Sequence, residues 1–313
     1  MQLQTEAAAS ATHASTSIEG NPLPLTEVKR LLKQQPEQLR RSEQEVINYN
    51  RALTELQAKP DQPLTEALLL KIHQGMVEGL LPAHQSGRWR QEPVILRDPR
   101  SGDIVYLPPD WQDVPRLMTG LVNFVRAQRG ALDPLLLAGL FHKQFVIIHP
   151  FMDGNGRTAR LATGLLLAGL GLNLFKLLSF ENYYNRQVMR YFEQVGLRGN
   201  YDDLAATLDF TPWLEYFSAG ILDELRRLEK TVIDRGATPD TRLEAQHTAI
   251  LAYIDAHGFI TDRDYSRLTE RAKATRSLDF NKLIALGLIE RRGRGRSTHY
   301  TRPDAPGAES ASK

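Results

Sequence analysis

Apolar residues recur at helical spacing along most of the chain. Over 42–58 they fall at Val46, Tyr49, Leu53 and Leu56, three or four apart. "LTEALLLKIHQGMVEG" and "VPRLMTGLVNFVRAQ" repeat the pattern. "DPLLLAGLFHKQFVIIH" adds a start signal, because Asp133 can cap a helix and Pro134 suits its first turn. Further helices are expected over 158–170 and 180–233. "TEVKRLLKQQ" predicts one more, with Thr26 as its cap. The opening, "MQLQTEAAASATHAS", is small and polar, and disorder is expected there. "SIEGNPLPL" breaks any helix, since a glycine and two prolines crowd together.

Two stretches depart from the helical period. "VILRD" and "DIVYL" have strand composition, and "DPRSG" between them is turn-like, so a hairpin is expected. "DRGATPDTR" at 234–242 reads as a linker. Beyond it come three helical patterns: "EAQHTAILAYIDAHG", stopped by Gly258, then "TDRDYSRLT", then "KATRSLDFNKLIALG", ended by Gly287. "LIERRGRGRSTHYTR" then reads strand, loop, strand. Three helices and a small hairpin is the order of a winged helix-turn-helix. The fold class is therefore mainly α: a helical core with a β-hairpin, followed by a small winged helix-turn-helix domain. The expected division is 1–80, 81–233, the linker 234–242, 243–303, and a tail 304–313.

The chain has 313 residues, enough for several buried cores. Its formal net charge of +2 does not make it a nucleic-acid binder as a whole, so any basic surface is local. There are no cysteines, which excludes disulfides and thiolate metal sites and suits a reducing, cytoplasmic location. The apolar run 161–172 is too short to span a membrane, and no signal peptide is evident. No membrane partner is expected.

"HPFMDGNGRTAR" at 149–160 carries the candidate chemistry. Placed at a helix start, its amides have no helical partner and carry partial positive charge. Gly154 and Gly156 let a ligand approach the backbone, so the turn is an anion cradle. Arg157 and Arg160, three apart, share a helix face and suit a polyphosphate. Asp153 offers a hard oxygen, and Mg²⁺ takes one or two carboxylates plus phosphate oxygens. His149 can accept a proton near neutral pH. Together these describe attack by a hydroxyl on a metal-bound nucleotide phosphate.

The same stretch resembles the signature of the Fic family, HxFx[D/E]GNGRxxR. His149, Phe151, Asp153, Gly154, Asn155, Gly156, Arg157 and Arg160 match every fixed position. The resemblance implies a Fic-type helical core and transfer of AMP from ATP to a hydroxyl side chain (Ser, Thr or Tyr) of target proteins and of the chain itself. It implies His149 as general base and Asp153 as the Mg²⁺ ligand. It implies Asn155 and the amides of 154–157 on the α- and β-phosphates, Arg157 on the β-phosphate and Arg160 on the γ-phosphate. Phe151 would anchor the loop. The hairpin, within 89–107, would be the flap along which a target strand pairs.

"STSIEG" at 15–20 resembles the family's inhibitory pattern [S/T]xxxE[G/N], with Ser15, Glu19 and Gly20 in place. The implication is autoinhibition. A Glu19 carboxylate on Arg160 takes the guanidinium that the γ-phosphate needs. In the C-terminal module, Arg291, Arg292, Arg294, Arg296 and Arg302 with Lys273, Arg276 and Lys282 form a local basic patch that fits DNA backbone or a protein partner. Three alternatives stay open: removal of AMP from modified proteins, use of another nucleotide, and a DNA-binding regulator whose Fic fold senses nucleotide. The target and a homodimer are also left open.

Overall fold

The computed structural model describes residues 2–98, 101–169, 176–177, 179–236, 243–293 and 295–303. The chain divides into two compact units, Met1–Leu228 and Glu229–Lys313.

The first unit is helical around one hairpin. Its first half comprises α1 (Gln2–Ile18), α2 (Leu25–Lys33), α3 (Arg41–Ala58) and α4 (Glu66–Met76), then β1 (Leu96–Arg97) and β2 (Ile104–Leu107). It continues with α5 (Val114–Gln128), α6 (Pro134–Ile148), α7 (Asn155–Gly169), α8 (Glu181–Arg186), α9 (Val188–Val195), β3 (Gly199–Asn200), α10 (Tyr201–Leu204) and α11 (Thr211–Gly236). The periodic positions Val46, Tyr49, Leu53 and Leu56 are all buried, as their spacing requires. Asp133 caps α6 through Leu135 N (2.8 Å) and Leu136 N (3.4 Å).

Helices α6 and α7 form the centre. Phe141 and Phe145 on α6 pack with Phe151, Ala159 and Ala162. Trp213 and Phe217 of α11 close the cluster, and Trp213 Nε1 donates to Gly139 O (2.8 Å). A Cβ at Gly139 would meet the tip of the Leu214 side chain at 2.7 Å, so Leu214 would have to shift.

Four expectations need correction. The small, polar opening is α1, not disorder. Ala9, Ala11, Thr12, Ala14, Ser15, Thr16 and Ile18 are buried, because small side chains let α1 lie close against α3 and α8. Its hydroxyls find partners inside: Thr16 Oγ1 donates to Thr12 O (2.9 Å) and Ser10 Oγ to Asn182 Oδ1 (3.0 Å). Thr26 does not cap α2, whose N-cap is Pro24; the helix starts one residue before Thr26. Residues 180–233 are not continuous helix: Gln187 is non-helical, and Gly196–Asn200 leave the helix for a strand. Finally, α11 runs into the expected linker as far as Gly236; 237–242 lie outside the described residues.

The expected hairpin forms between β1 and β2, antiparallel with Leu96 opposite Tyr106. Its turn residues 99–100 lie outside the described residues. On the far side β3 pairs parallel with β2, so the sheet order is β1-β2-β3.

The second unit contains α12 (Ala245–His257), α13 (Asp262–Leu268), α14 (Lys273–Ala285), β4 (Glu290–Arg292), a short 3₁₀ turn (Gly295–Ser297) and β5 (His299–Thr301). Ile250, Ile254, Tyr265, Phe280 and Leu283 make its core. The element order is the one expected for a winged helix-turn-helix, and Ile260 exchanges two backbone hydrogen bonds with Tyr300 (3.0 and 2.9 Å). Three members of the basic patch are paired with acids. Arg276 grips Asp262 with two bonds of 2.9 Å, Arg302 grips Asp255 (2.7 and 2.8 Å), and Arg292 pairs with Glu290. Arg294, the side chain of Arg296 and the tail 304–313 lie outside the described residues.

Candidate active site

The signature lies in the turn between α6 and α7. His149 ends α6 with φ 52° and ψ 59°. Among the described residues it is the one non-glycine with positive φ. Such a backbone costs on the order of 1 kcal/mol and needs support from its surroundings. Arg90 supplies it: Nε donates to His149 O (2.9 Å), Nη1 to Glu92 O (3.2 Å), Nη2 to Pro109 O, and its backbone N–H to Pro150 O (2.8 Å). One buried guanidinium thus ties the base of the hairpin to the turn. Tyr106 of β2 adds a second tie, its hydroxyl donating to Ile147 O (3.0 Å).

The imidazole of His149 faces Val146 O through Nδ1 (3.3 Å). A carbonyl only accepts, so Nδ1 carries the proton and Nε2 keeps its lone pair. Burial is the main force on its pKa, pushing it down to about 4. The ring is therefore neutral at pH 7, the state a base must be in.

The turn is braced from inside. Phe151, fully buried, stacks on His73 of α4 with centroids 3.7 Å apart. His73 Nε2 donates to Asp153 O (3.0 Å), while Nδ1 accepts from Gly87 N (3.0 Å). The Asn155 side chain accepts from Phe151 N and donates to Phe151 O, both 2.9 Å. It closes the loop rather than facing outward. The first helical bond of α7 runs from Thr158 N to Gly154 O (2.9 Å), so the amides of Asn155, Gly156 and Arg157 precede the helical ladder. Gly154, with φ 79°, takes a backbone that a side chain would strain.

Asp153 is half exposed, and its Oδ1 accepts from Gly154 N (2.5 Å) and Arg157 Nη2 (3.2 Å). Among the described residues no group of three His, Cys, Asp or Glu stands ready to hold a metal. A single accessible carboxylate fits Mg²⁺ that arrives largely ligated by phosphate oxygens, and does not fit a resident cage.

Arg160 is fully buried and satisfied by α1. Its Nε donates to Ser15 Oγ (2.7 Å), and Nη2 donates to Ser15 O (2.8 Å) and Glu19 Oε1 (2.7 Å). Its Nη1 reaches Tyr191 Oη (3.4 Å). Burial would lower its pKa, but the Glu19 carboxylate and the Tyr191 and Tyr49 hydroxyls hold it above its ordinary value. Gly156 makes room for this pair, since a Cβ there would overlap Glu19 Oε1. Gly20, with φ 91°, turns the chain away after Glu19. Ser15 and Glu19 thus contact Arg160 of the signature, and Gly20 follows at the turn.

Several neighbours were not anticipated. Glu45 of α3 pairs with Arg157. His142 bonds Thr163 Oγ1 (3.0 Å) and Tyr191 Oη (3.1 Å), linking α7 to the Arg160 shell. Glu181 is buried against Tyr49 Oη (3.3 Å) and Ser179 Oγ (3.1 Å), and burial raises its pKa to about 7. Glu45, His142 and Glu181 sit singly in helical patterns, so spacing gave no signal. His73 and Arg90 were visible only as members of a helix and a strand approach.

One turn of this helical fold brings together backbone amides ahead of the helical ladder, a neutral histidine and two buried arginines. Residues 63–167 match the model of the Fic/DOC family, and the chain carries a Fic/DOC family domain. It is 27% identical to protein adenylyltransferase Fic of Nematostella vectensis over 164 residues, covering 50% of this chain and 36% of that protein. It is 26% identical to a probable protein adenylyltransferase of Aquifex aeolicus over 197 residues, covering 60% of this chain and 56% of the relative. These alignments span less than two thirds of the curated relatives. A crystal structure of a Fic family protein from Desulfovibrio desulfuricans G20 shares the fold, with TM-score 0.64 and 24% identity over 97% of this chain and 88% of that one.

Proposed function

We propose that this chain transfers AMP from ATP to a hydroxyl side chain of proteins, itself included, and that Glu19 holds the reaction down. The target hydroxyl oxygen attacks the α-phosphorus, His149 Nε2 takes its proton, the α–β P–O bond breaks, and pyrophosphate leaves. The neutral ring with a free Nε2 supports that role for His149. The backbone N–H groups of 155–157 donate to phosphate oxygens, and the guanidinium groups of Arg157 and Arg160 balance the charge. Asp153 is the residue that would hold Mg²⁺. When bound, the ion would neutralise phosphate charge. The exposed flanks of the hairpin, Ile95 and Ile104, support docking of an extended target strand within 89–107.

The observation that carries the proposal is the Arg160–Glu19 contact. A fully buried guanidinium is committed to an acid that a γ-phosphate would have to replace. Expulsion of Glu19 frees a charge-assisted bond worth about 1.5–3 kcal/mol, a shift of roughly ten- to a hundredfold. We expect Glu19→Gly to raise self-labelling from α-labelled ATP by that order, and Arg160→Ala to give no such gain. Self-labelling that falls in Glu19→Gly would overturn the inhibitory role. A protein that takes up no label in either form would overturn AMP transfer.

A further inference from the structure

Both arginines of the signature are held by carboxylates, and Glu19 accounts for one. The other is Glu45, one turn into α3. Glu45 Oε1 accepts from Arg157 Nη1, while Arg157 Nη2 donates to Asp153 Oδ1 at 3.2 Å. Glu45 is itself fixed. Asn21, buried two residues after Glu19, donates from Nδ2 to Glu45 Oε2 (2.7 Å) and to Ser42 O (2.9 Å), and accepts from Leu23 N (3.1 Å). Glu19, Asn21, Glu45, Asp153 and Arg157 line one cleft of about 530 Å³.

The two partners of Arg157 are unequal. The Arg157 and Glu45 side chains are 6% and 17% exposed, whereas Asp153 is 50% exposed. A largely buried ion pair is costly to break, because one charge is left without a partner. A long, half-exposed contact contributes little and exchanges readily. Arg157 Nε is buried with no partner, so the guanidinium holds unused donor capacity in this state.

We infer that Glu45 is a positioning residue for Arg157: it holds Nη1, so that Nη2 passes from Asp153 to a nucleotide phosphate. The inference rests on the phosphate reading of the site proposed above. The guanidinium is a rigid fork, so fixing one prong aims the other. When phosphate enters, Nη2 leaves the half-exposed Asp153, whose carboxylate is freed in the same movement. Without Glu45, nothing opposes a turn of both prongs onto Asp153. That would remove a phosphate donor and occupy the acid together. Asn21 keeps Glu45 in place from the segment that also carries Glu19.

The test uses the full chain with Glu19→Gly, so that the inhibitory contact does not mask binding. Mg²⁺–ATP affinity is measured by calorimetry, and KM and kcat by self-labelling. Glu45→Gln is expected to weaken ATP binding about tenfold, the scale of one charge-assisted bond, and to raise KM alike while kcat stays within about twofold. In an Arg157→Ala background Glu45→Gln should have no further effect, which a merely structural role would not produce. Asn21→Ala, which leaves both charges in place, should weaken binding in the same direction and covers the case of an unfolded Glu45 variant. Tighter ATP binding in Glu45→Gln would make Glu45 a competitor and overturn the inference. So would unchanged affinity, or an equal loss with Arg157 already removed. If the Glu19→Gly protein binds no ATP at all, the phosphate reading itself falls, and the inference with it.

Discussion

His149 combines a strained backbone with a ring kept neutral by burial. Its pKa of about 4 has a direct kinetic consequence. A base is inactive when protonated, so with His149 as the proposed base the acid limb of activity is expected below pH 5 rather than near 6.5. In the Glu19→Gly protein, kcat/KM should stay flat between pH 6 and 8 on that account; a limb with its midpoint near 6.5 would show that the ring is solvated. His149→Ala should lower label transfer by at least about 100-fold and leave ATP affinity within about twofold, because general-base groups contribute on that scale and phosphate is held elsewhere. The sequence motif located this residue. It did not disclose Arg90, whose bonds go to backbone carbonyls and leave no pattern in side-chain spacing.

At the scale of an element, α1 is the instructive case. Composition alone reads "AAASATHAS" as poor in core-forming residues. Small side chains bury little area singly, but they let backbones approach and exclude larger groups, and that depends on what lies opposite. The same limit applied to α8 and α9, where the helix breaks at Gln187 with no glycine or proline there, between the stacked rings of Tyr184 and Tyr191. By contrast α6 was legible to its end, because Asp133 and Pro134 mark its start and its apolar run is long. Ala14 is fully buried on α1. Ala14→Leu should cost about 1–3 kcal/mol by overpacking. Because the strain lifts α1, and Glu19 with it, self-labelling should rise as the melting temperature falls. A variant that melts lower without any gain would uncouple α1 docking from the inhibitory contact.

At the scale of the whole molecule, buried titratable groups set the response to acid. His73 and His142 are fully buried, and burial pushes their pKa values down to about 4 and about 3. Unfolding lets both take protons as pH falls below 6.5, so each withdraws stability between that value and its folded pKa. Glu181 acts oppositely, since burial raises it to about 7 and the folded state binds its proton above pH 4.5. His149, lowered to about 4, adds a third histidine, so three protons against one leave a net gain near two protons. These four groups together should therefore make stability rise by roughly 2.7 kcal/mol per pH unit between 4.5 and 6.5. Chemical denaturation at several pH values reads that slope, and Glu181→Gln should steepen it. The C-terminal unit has its own core. Removing residues 243–313 should thus leave self-labelling by the first unit within about twofold, as expected for units that fold on separate cores.

Arg90 gives the hairpin a mechanical meaning. Its side chain is bolted to three backbone carbonyls, two flanking the hairpin and one on the residue with the reactive ring. A displacement of the chain at Glu92 or Pro109 is passed through the Arg90 guanidinium to the turn at His149. Whatever is aligned on those strands is therefore registered in the same frame of reference as the imidazole of His149.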